Sequence, residues 1–161
     1  MALLVRHAMT EAPKTARPDM TAADAAGLMS SYNVGVIPVA EQGRLLGLVT
    51  DRDLVDRVIA ERMDPNAVEL RNVMTKAVET VTPDTDLSEA RDLMAEHRIR
   101  RLPVMKGDQL VGILSLGDVA VAAASKRAVG ETLDEISESN STRPTIDGPD
   151  PGTPQAARSS S

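Results

Sequence analysis

The stretch Gly47-Leu-Val-Thr-Asp-Arg-Asp53 (GLVTDRD) returns 65 residues later as Gly112-Ile-Leu-Ser-Leu-Gly-Asp118 (GILSLGD), with glycine, hydroxyl and aspartate at the same spacing. Working outward from it, the same shift aligns the chain with itself without a gap, from Arg6 with Arg71 to Asp53 with Asp118. Met9-Thr10 meets Met74-Thr75, Pro18-Asp19 meets Pro83-Asp84, Leu28-Met29 meets Leu93-Met94, and Pro38-Val39 meets Pro103-Val104. The chain is a tandem duplication.

Each copy carries the same order of local signals. After Met-Thr and a short extended stretch, residues 21–32 and 86–97 have helical periodicity, with Ala25, Leu28 and Met29 on one face. Two β-rich runs follow, 34–39 and 45–49, around the turn residues Glu41-Gln-Gly-Arg44; copy two repeats them as 99–104 and 110–114 around Lys106-Gly-Asp108. A second helix is expected over about 52–63 and 118–128, the first striped by Leu54, Val55, Val58 and Ile59. The expected fold is α/β (α+β), two β-α-β-β-α units packed with pseudo-twofold symmetry.

The boundaries that follow are repeat one over 5–63, a linker over 64–70, repeat two over 71–128 and a helical extension over 129–136. Leu133 and Ile136 of that extension are expected to dock on the core. Residues 137–161, rich in Ser, Thr, Pro, Gly and Asp, are expected to be a disordered acidic tail, because so little apolar surface does not repay the entropy of ordering.

Composition narrows the function. The 161 residues are 42% hydrophobic and hold one aromatic residue, Tyr32, so the core is aliphatic and methionine-filled. Without cysteine there are no disulfides, thiolate metal sites or thiol nucleophiles. The net charge is −6, of which −4 falls in residues 131–161, and no basic field draws nucleic acid or an anionic membrane. The first apolar run, 2–5, is too short for a signal peptide or a membrane span, so a cytoplasmic location is expected. Two histidines without paired spacing argue against a metal site, and no P-loop, GxGxxG or Ser-His-Asp arrangement points to catalysis. The chain is read as a non-enzyme.

Thr50-x-x-Asp53 and Ser115-x-x-Asp118 have two readings. As capping boxes they satisfy orphan amides at a helix start and bind nothing. As ligand groups they stand where a strand ends and a helix begins, a position suited to an anion, and the aspartate can accept hydrogen bonds from the diol of a ribose. A nucleotide suits that chemistry. Its base would lie in an apolar slot along Val36-Ile37-Pro38 and Arg101-Leu102-Pro103, where a proline in a hairpin strand leaves neighbouring backbone groups unpaired. Arg100 and Arg101 alternate in facing, so one of them would point at the cleft and neutralise phosphate, with Arg52 a further candidate.

The Met-Thr openings, the strands VGVIPV and RRLPV, and the closing GLVTDRDL and GILSLGDV together resemble the CBS-domain family over about residues 5–128, in the paired arrangement called a Bateman module. The resemblance implies clefts between the repeats that bind adenosyl compounds such as AMP, ADP, ATP, NAD(H) or S-adenosylmethionine as regulatory ligands, with no cofactor required. It implies that Thr50 and Asp53 in one cleft, and Ser115 and Asp118 in the other, hold ribose and phosphate, with the strand residues before Pro38 and Pro103 around the base. It implies a homodimer through the helices 21–32, 52–63, 86–97 and 118–128. With no catalytic arrangement read in the chain, its output is expected elsewhere, through an unidentified protein partner. Copy two has Leu116-Gly117 where copy one has Asp51-Arg52, a departure expected to alter phosphate preference or leave one cleft empty. The rival reading is a ligand-free dimeric scaffold whose T-x-x-D motifs are helix caps alone.

Overall fold

In the computed structural model, residues 2–134 are described, with side chains through residue 130. The expected disordered tail, 137–161, and the docking of Leu133 and Ile136 lie outside the described residues.

Two hairpins form the framework. Strand β2 (Val36–Glu41) pairs antiparallel with β3 (Arg44–Thr50), and β4 (Arg101–Lys106) with β5 (Gln109–Ser115). Their turns obey the right-handed twist by different routes. Gln42 and Gly43 both take positive φ, 53° and 81°, whereas in the second turn Gly107 does so at 62°. Both hairpins shift register at matching points, between Val39 and Ala40 and between Val104 and Met105. The two join at their turn ends, where Arg44 pairs with Gln109, and the two-residue strand β1 (Thr10–Glu11) pairs with β5, giving a five-stranded sheet. Helices α1 (Ala22–Tyr32) and α3 (Leu87–His97) precede the hairpins; α2 (Asp51–Leu54) and α4 (Leu116–Asp134) follow them.

The opening and linker segments are exchanged between the repeats. The first core holds Ala25, Met29, Ile37 and Val49 together with Val68, Leu70 and Val73 from beyond the linker's start. The second holds Leu87, Met94, Leu102 and Leu114 together with Val5, with Leu3 and Met9 packed against it. Backbone bonds repeat the arrangement: Val5 N–H donates to Thr85 O at 2.8 Å and Leu70 N–H to Met20 O at 2.8 Å, each in a 3-10 turn, Val5–His7 and Leu70–Asn72. The segment read as a linker is thus a wall of the first core, because Val68 and Leu70 are apolar residues that a tether would leave in water.

The glycine of the repeated motif has its reason here. Leu48 and Thr75 exchange backbone hydrogen bonds of 3.0 and 2.8 Å over Gly47, and a Cβ on Gly47 would stand 2.5 Å from Thr75 O. Gly112 likewise admits the other opening, with Met9 Sδ 2.8 Å and Thr10 O 2.9 Å from where its Cβ would be. Each Met-Thr therefore locks onto the glycine of the opposite repeat.

The second helix of repeat one departs from expectation. It is α-helical over Asp51–Leu54, winds as a π-helix over Val55–Ile59, and gives way to a turn that closes at Arg62, which is left-handed at φ 58°. The i→i+5 bonds, Ala60 N–H to Val55 O at 2.8 Å and Met63 N–H to Val58 O at 2.9 Å, widen the turn, so the expected stripe splits. Val58 is buried and Leu54 half-buried, while Val55 and Ile59 are 54% and 61% exposed. In copy two the helix begins two residues early and runs past 128 to Asp134.

Candidate functional site

Where β3 ends, the hydroxyl and acid of the motif make a complete capping box. Thr50 Oγ1 accepts from Asp53 N–H at 3.1 Å, and Asp53 Oδ2 accepts from Thr50 N–H at 2.9 Å. Ser115 and Asp118 make the same pair of bonds at 3.0 Å each. Thr21 and Asp24 do so again at the start of α1, at 3.1 and 3.0 Å. The box is therefore a structural device in its own right, worth about 1 kcal/mol at a helix start. What distinguishes Thr50 and Asp53 is their surroundings.

Thr50, Asp51, Arg52 and Asp53 form one wall of a cleft of about 1100 Å³ whose opposite wall comes from repeat two. That wall is the segment after the second Met-Thr, including Ala77, Val78 and Glu79, and the run from His97 to Arg101 at the end of α3 and the start of β4. Leu48, Val55, Ala77, Val78 and Ile99 supply apolar surface. Asp53 is 15% exposed; its Oδ1 lies 3.7 Å from Arg57 Nη2, and Arg57 Nη1 donates to Val73 O at 2.8 Å. This chain links the cleft to the residue before the second Met-Thr. Arg52 Nε donates a hydrogen bond of 2.9 Å to Asp56 Oδ2, which raises its guanidinium above its ordinary pKa, so Arg52 is a permanent cation at the rim.

Arg100 and Arg101 both line this cleft, where alternation would send only one inward. The chain bends at Arg100 and β4 starts at Arg101, so the two are not successive residues of one strand. Arg101 also passes close to Gly35, where a Cβ would stand 3.0 Å from its Nη2 and 3.1 Å from Asp51 Oδ2. Ile37 and Leu102 are fully buried in the two cores, Pro38 and Pro103 are fully buried and Val36 nearly so, and none of the five lines the cleft. The expectation of unpaired backbone beside the prolines is also corrected. Pro38 O accepts from Ala16 N–H at 2.9 Å and Pro103 O from Val81 N–H at 3.1 Å, because the stretches before the helices lie alongside the hairpin edges. Ser115 and Asp118 do not line this cleft.

Sequence reasoning missed Glu79 and Arg98 in the cleft. Both were visible as exchanges between the repeats: Lys14 becomes Glu79, Tyr32 becomes His97 and Asn33 becomes Arg98. The structure pairs the exchanged residues in each copy. Lys14 Nζ sits 5.1 Å above the Tyr32 ring centroid, and His97 Nε2 lies 3.7 Å from Glu79 Oε1.

A model of the CBS domain matches residues 5–60 and again 70–125. The chain belongs to the CBS-domain family. This CBS pair is 42% identical over 136 residues to CBS domain-containing protein YhcV of Bacillus subtilis (strain 168), across 84% of this chain and 96% of that one. Among solved structures it resembles CBSX2 in complex with AMP, with a TM-score of 0.67 and 28% identity over 77% of this chain and 98% of that one. It also resembles Hypoxic Response Protein I with two coordinated zinc ions, with a TM-score of 0.69 and 29% identity over 74% of this chain and 98% of that one. The zinc belongs to that protein: among the described residues of this CBS pair, no group of three or more His, Cys, Asp or Glu side chains could hold a metal ion. No helix among them is long and apolar enough to cross a membrane.

Proposed function

We propose that this CBS pair is a regulatory module that binds an adenosyl nucleotide in the cleft between Thr50–Asp53 and residues 97–101, and that occupancy shifts the relative orientation of its repeats. The observation that carries the reading is the composition of that cleft: one wall from each repeat, with an apolar side, a hydroxyl and acid, and cations all facing one space. Adenine would lie against Val55, Ala77, Val78 and Ile99; ribose hydroxyls would donate to Asp53 Oδ1, the oxygen the capping box leaves over; phosphate would face the arginines. The similarity to an AMP-bound CBS structure supports the ligand class. Because the walls belong to different repeats, a bound molecule bridges them, and differential affinity for two orientations is what a population shift requires. Ile59 on the π-helical segment and Val121 on α4, 61% and 67% exposed, support the reading as a homodimer, since apolar side chains held in water gain by covering one another. The module acts in the cytoplasm and catalyses no reaction, and a partner protein reads its state.

The three finished capping boxes favour one other reading, a scaffold whose motifs cap helices and bind nothing. Thermal unfolding with AMP, ADP, ATP, NAD, NADH and S-adenosylmethionine separates the two. A selective rise in Tm that Asp53→Ala abolishes is the expected result, since a ligand of the native state stabilises it by mass action. No rise with any of them, in folded protein, contradicts the nucleotide reading.

A further inference from the structure

From the cations of the cleft we infer that it selects a nucleoside polyphosphate over the monophosphate, with Arg98, Arg100 and Arg101 reading the distal phosphates. The inference rests on the nucleotide reading above and adds the ligand's charge class and the residues that measure it.

Each acid of the cleft has one oxygen facing a group other than these arginines. Asp53 is held by Thr50 N–H at 2.9 Å, Asp51 Oδ1 accepts from Arg52 N–H at 2.8 Å, and Glu79 faces His97. Arg52 is spoken for by Asp56. Among the described residues, no carboxylate stands within ion-pair distance of Arg98, Arg100 or Arg101, although all three line the same space. Three like charges gathered on one wall repel one another, and a multivalent anion relieves that repulsion more than a single phosphate does.

Arg98 adds a conformational argument. It ends α3 in the left-handed region at φ 56°, where the equivalent residue of repeat one is Asn33 at φ 53°. Asparagine is among the side chains best suited to that backbone, and arginine is not. The less suitable residue stands in the copy whose helix end borders the cleft, and it is one of the lining residues.

The exchange is one-sided. Where repeat two has Arg98, Arg100 and Arg101, repeat one has Asn33, Gly35 and Val36, and Arg52 corresponds to Gly117. The arginines are confined to one of two pseudo-equivalent places, the other holding the single cation Lys14 where this cleft has Glu79, so the selectivity belongs to one site per chain.

Titration calorimetry of the full chain with AMP, ADP, ATP and inorganic tripolyphosphate tests this, with Arg100→Gln/Arg101→Gln and Arg98→Asn as variants. The expected order is ATP, then ADP, then AMP, with ATP about thirtyfold tighter than AMP at one site per chain, as one or two added charge-assisted hydrogen bonds give. The double variant weakens ATP far more than AMP and brings the two to within about threefold. Arg98→Asn weakens ATP yet raises Tm, because asparagine fits the left-handed turn; a merely structural Arg98 would leave ATP affinity unchanged. Equal affinity for ATP and AMP in the wild type overturns the inference and leaves the nucleotide reading standing. Tripolyphosphate binding as tightly as ATP, lost in the double variant and with AMP unbound, keeps the arginine cluster as a polyphosphate site and removes the nucleoside. AMP bound while ATP and tripolyphosphate fail overturns the inference alone, and failure of AMP, ADP, ATP and tripolyphosphate alike overturns both.

Discussion

Gly47 lies beneath the carbonyl oxygen of Thr75, so close that a Cβ on Gly47 would stand 2.5 Å from it. The contact joins the two repeats by backbone, because Thr75 opens the second while exchanging hydrogen bonds with Leu48 of the first. Gly47→Ala must push Thr75 away and stretch both bonds. We expect it to cost about 1–3 kcal/mol, as overpacking does. Gly107→Ala, whose Cβ would meet nothing within 4 Å, distinguishes backbone strain alone from this clash, and urea unfolding of both variants measures the difference.

The identical capping boxes at Thr21/Asp24 and Thr50/Asp53 allow capping to be separated from binding within one molecule. Asp24→Ala and Asp53→Ala should each lower stability by about 1 kcal/mol. Only the second should also weaken nucleotide binding, by about tenfold or more, since it alone borders the cleft. Equal loss of affinity in the two variants would mean that the effect passes through stability.

Gly35→Ala tests the cleft without touching a core. Its Cβ would stand 3.0 Å from Arg101 Nη2 and 3.1 Å from Asp51 Oδ2, both on side chains that can move, and Gly35 has no positive φ. The expected outcome is an unfolding midpoint close to wild type with ATP affinity changed severalfold, read by calorimetry. An unaltered affinity would separate the Arg101 head group from the ligand.

Ile59→Asp/Val121→Asp addresses assembly. Both side chains are more than half exposed in the single chain, so aspartate there leaves the fold intact, and circular dichroism should be unchanged. Sedimentation should show a dimer for wild type and a monomer for the variant. Dimers in both would move the interface elsewhere.

The fold was legible because the duplication printed each signal twice. The hairpins, the turn residues Gln42-Gly43 and Gly107-Asp108, and the helices before them followed from pattern and turn chemistry. The exchange of segments was not legible, because periodicity records which residues are buried and not against what: Val5 and Val73 read the same whichever core they join. The π-helical winding also escaped, since Leu54, Val55, Val58 and Ile59 have the spacing of an ordinary amphipathic helix. At the site, Thr50, Asp53 and both Arg100 and Arg101 line one cleft, where alternation suggested only one of the arginines, whereas Val36, Ile37 and Leu102 beside the prolines are buried away from it. Arg98 and Glu79 needed a comparison of the copies by what differs rather than by what matches.

The most direct test of the nucleotide cleft is the ¹H–¹⁵N spectrum of the full chain titrated with AMP. The account predicts shifts concentrated at residues 50–53, 77–79 and 97–101, with the capping amides of Thr50 and Asp53 among the largest. Shifts confined to the smaller cavity lined by Pro13, Arg17, Gln42 and Leu110, or no shifts at millimolar AMP, would contradict it.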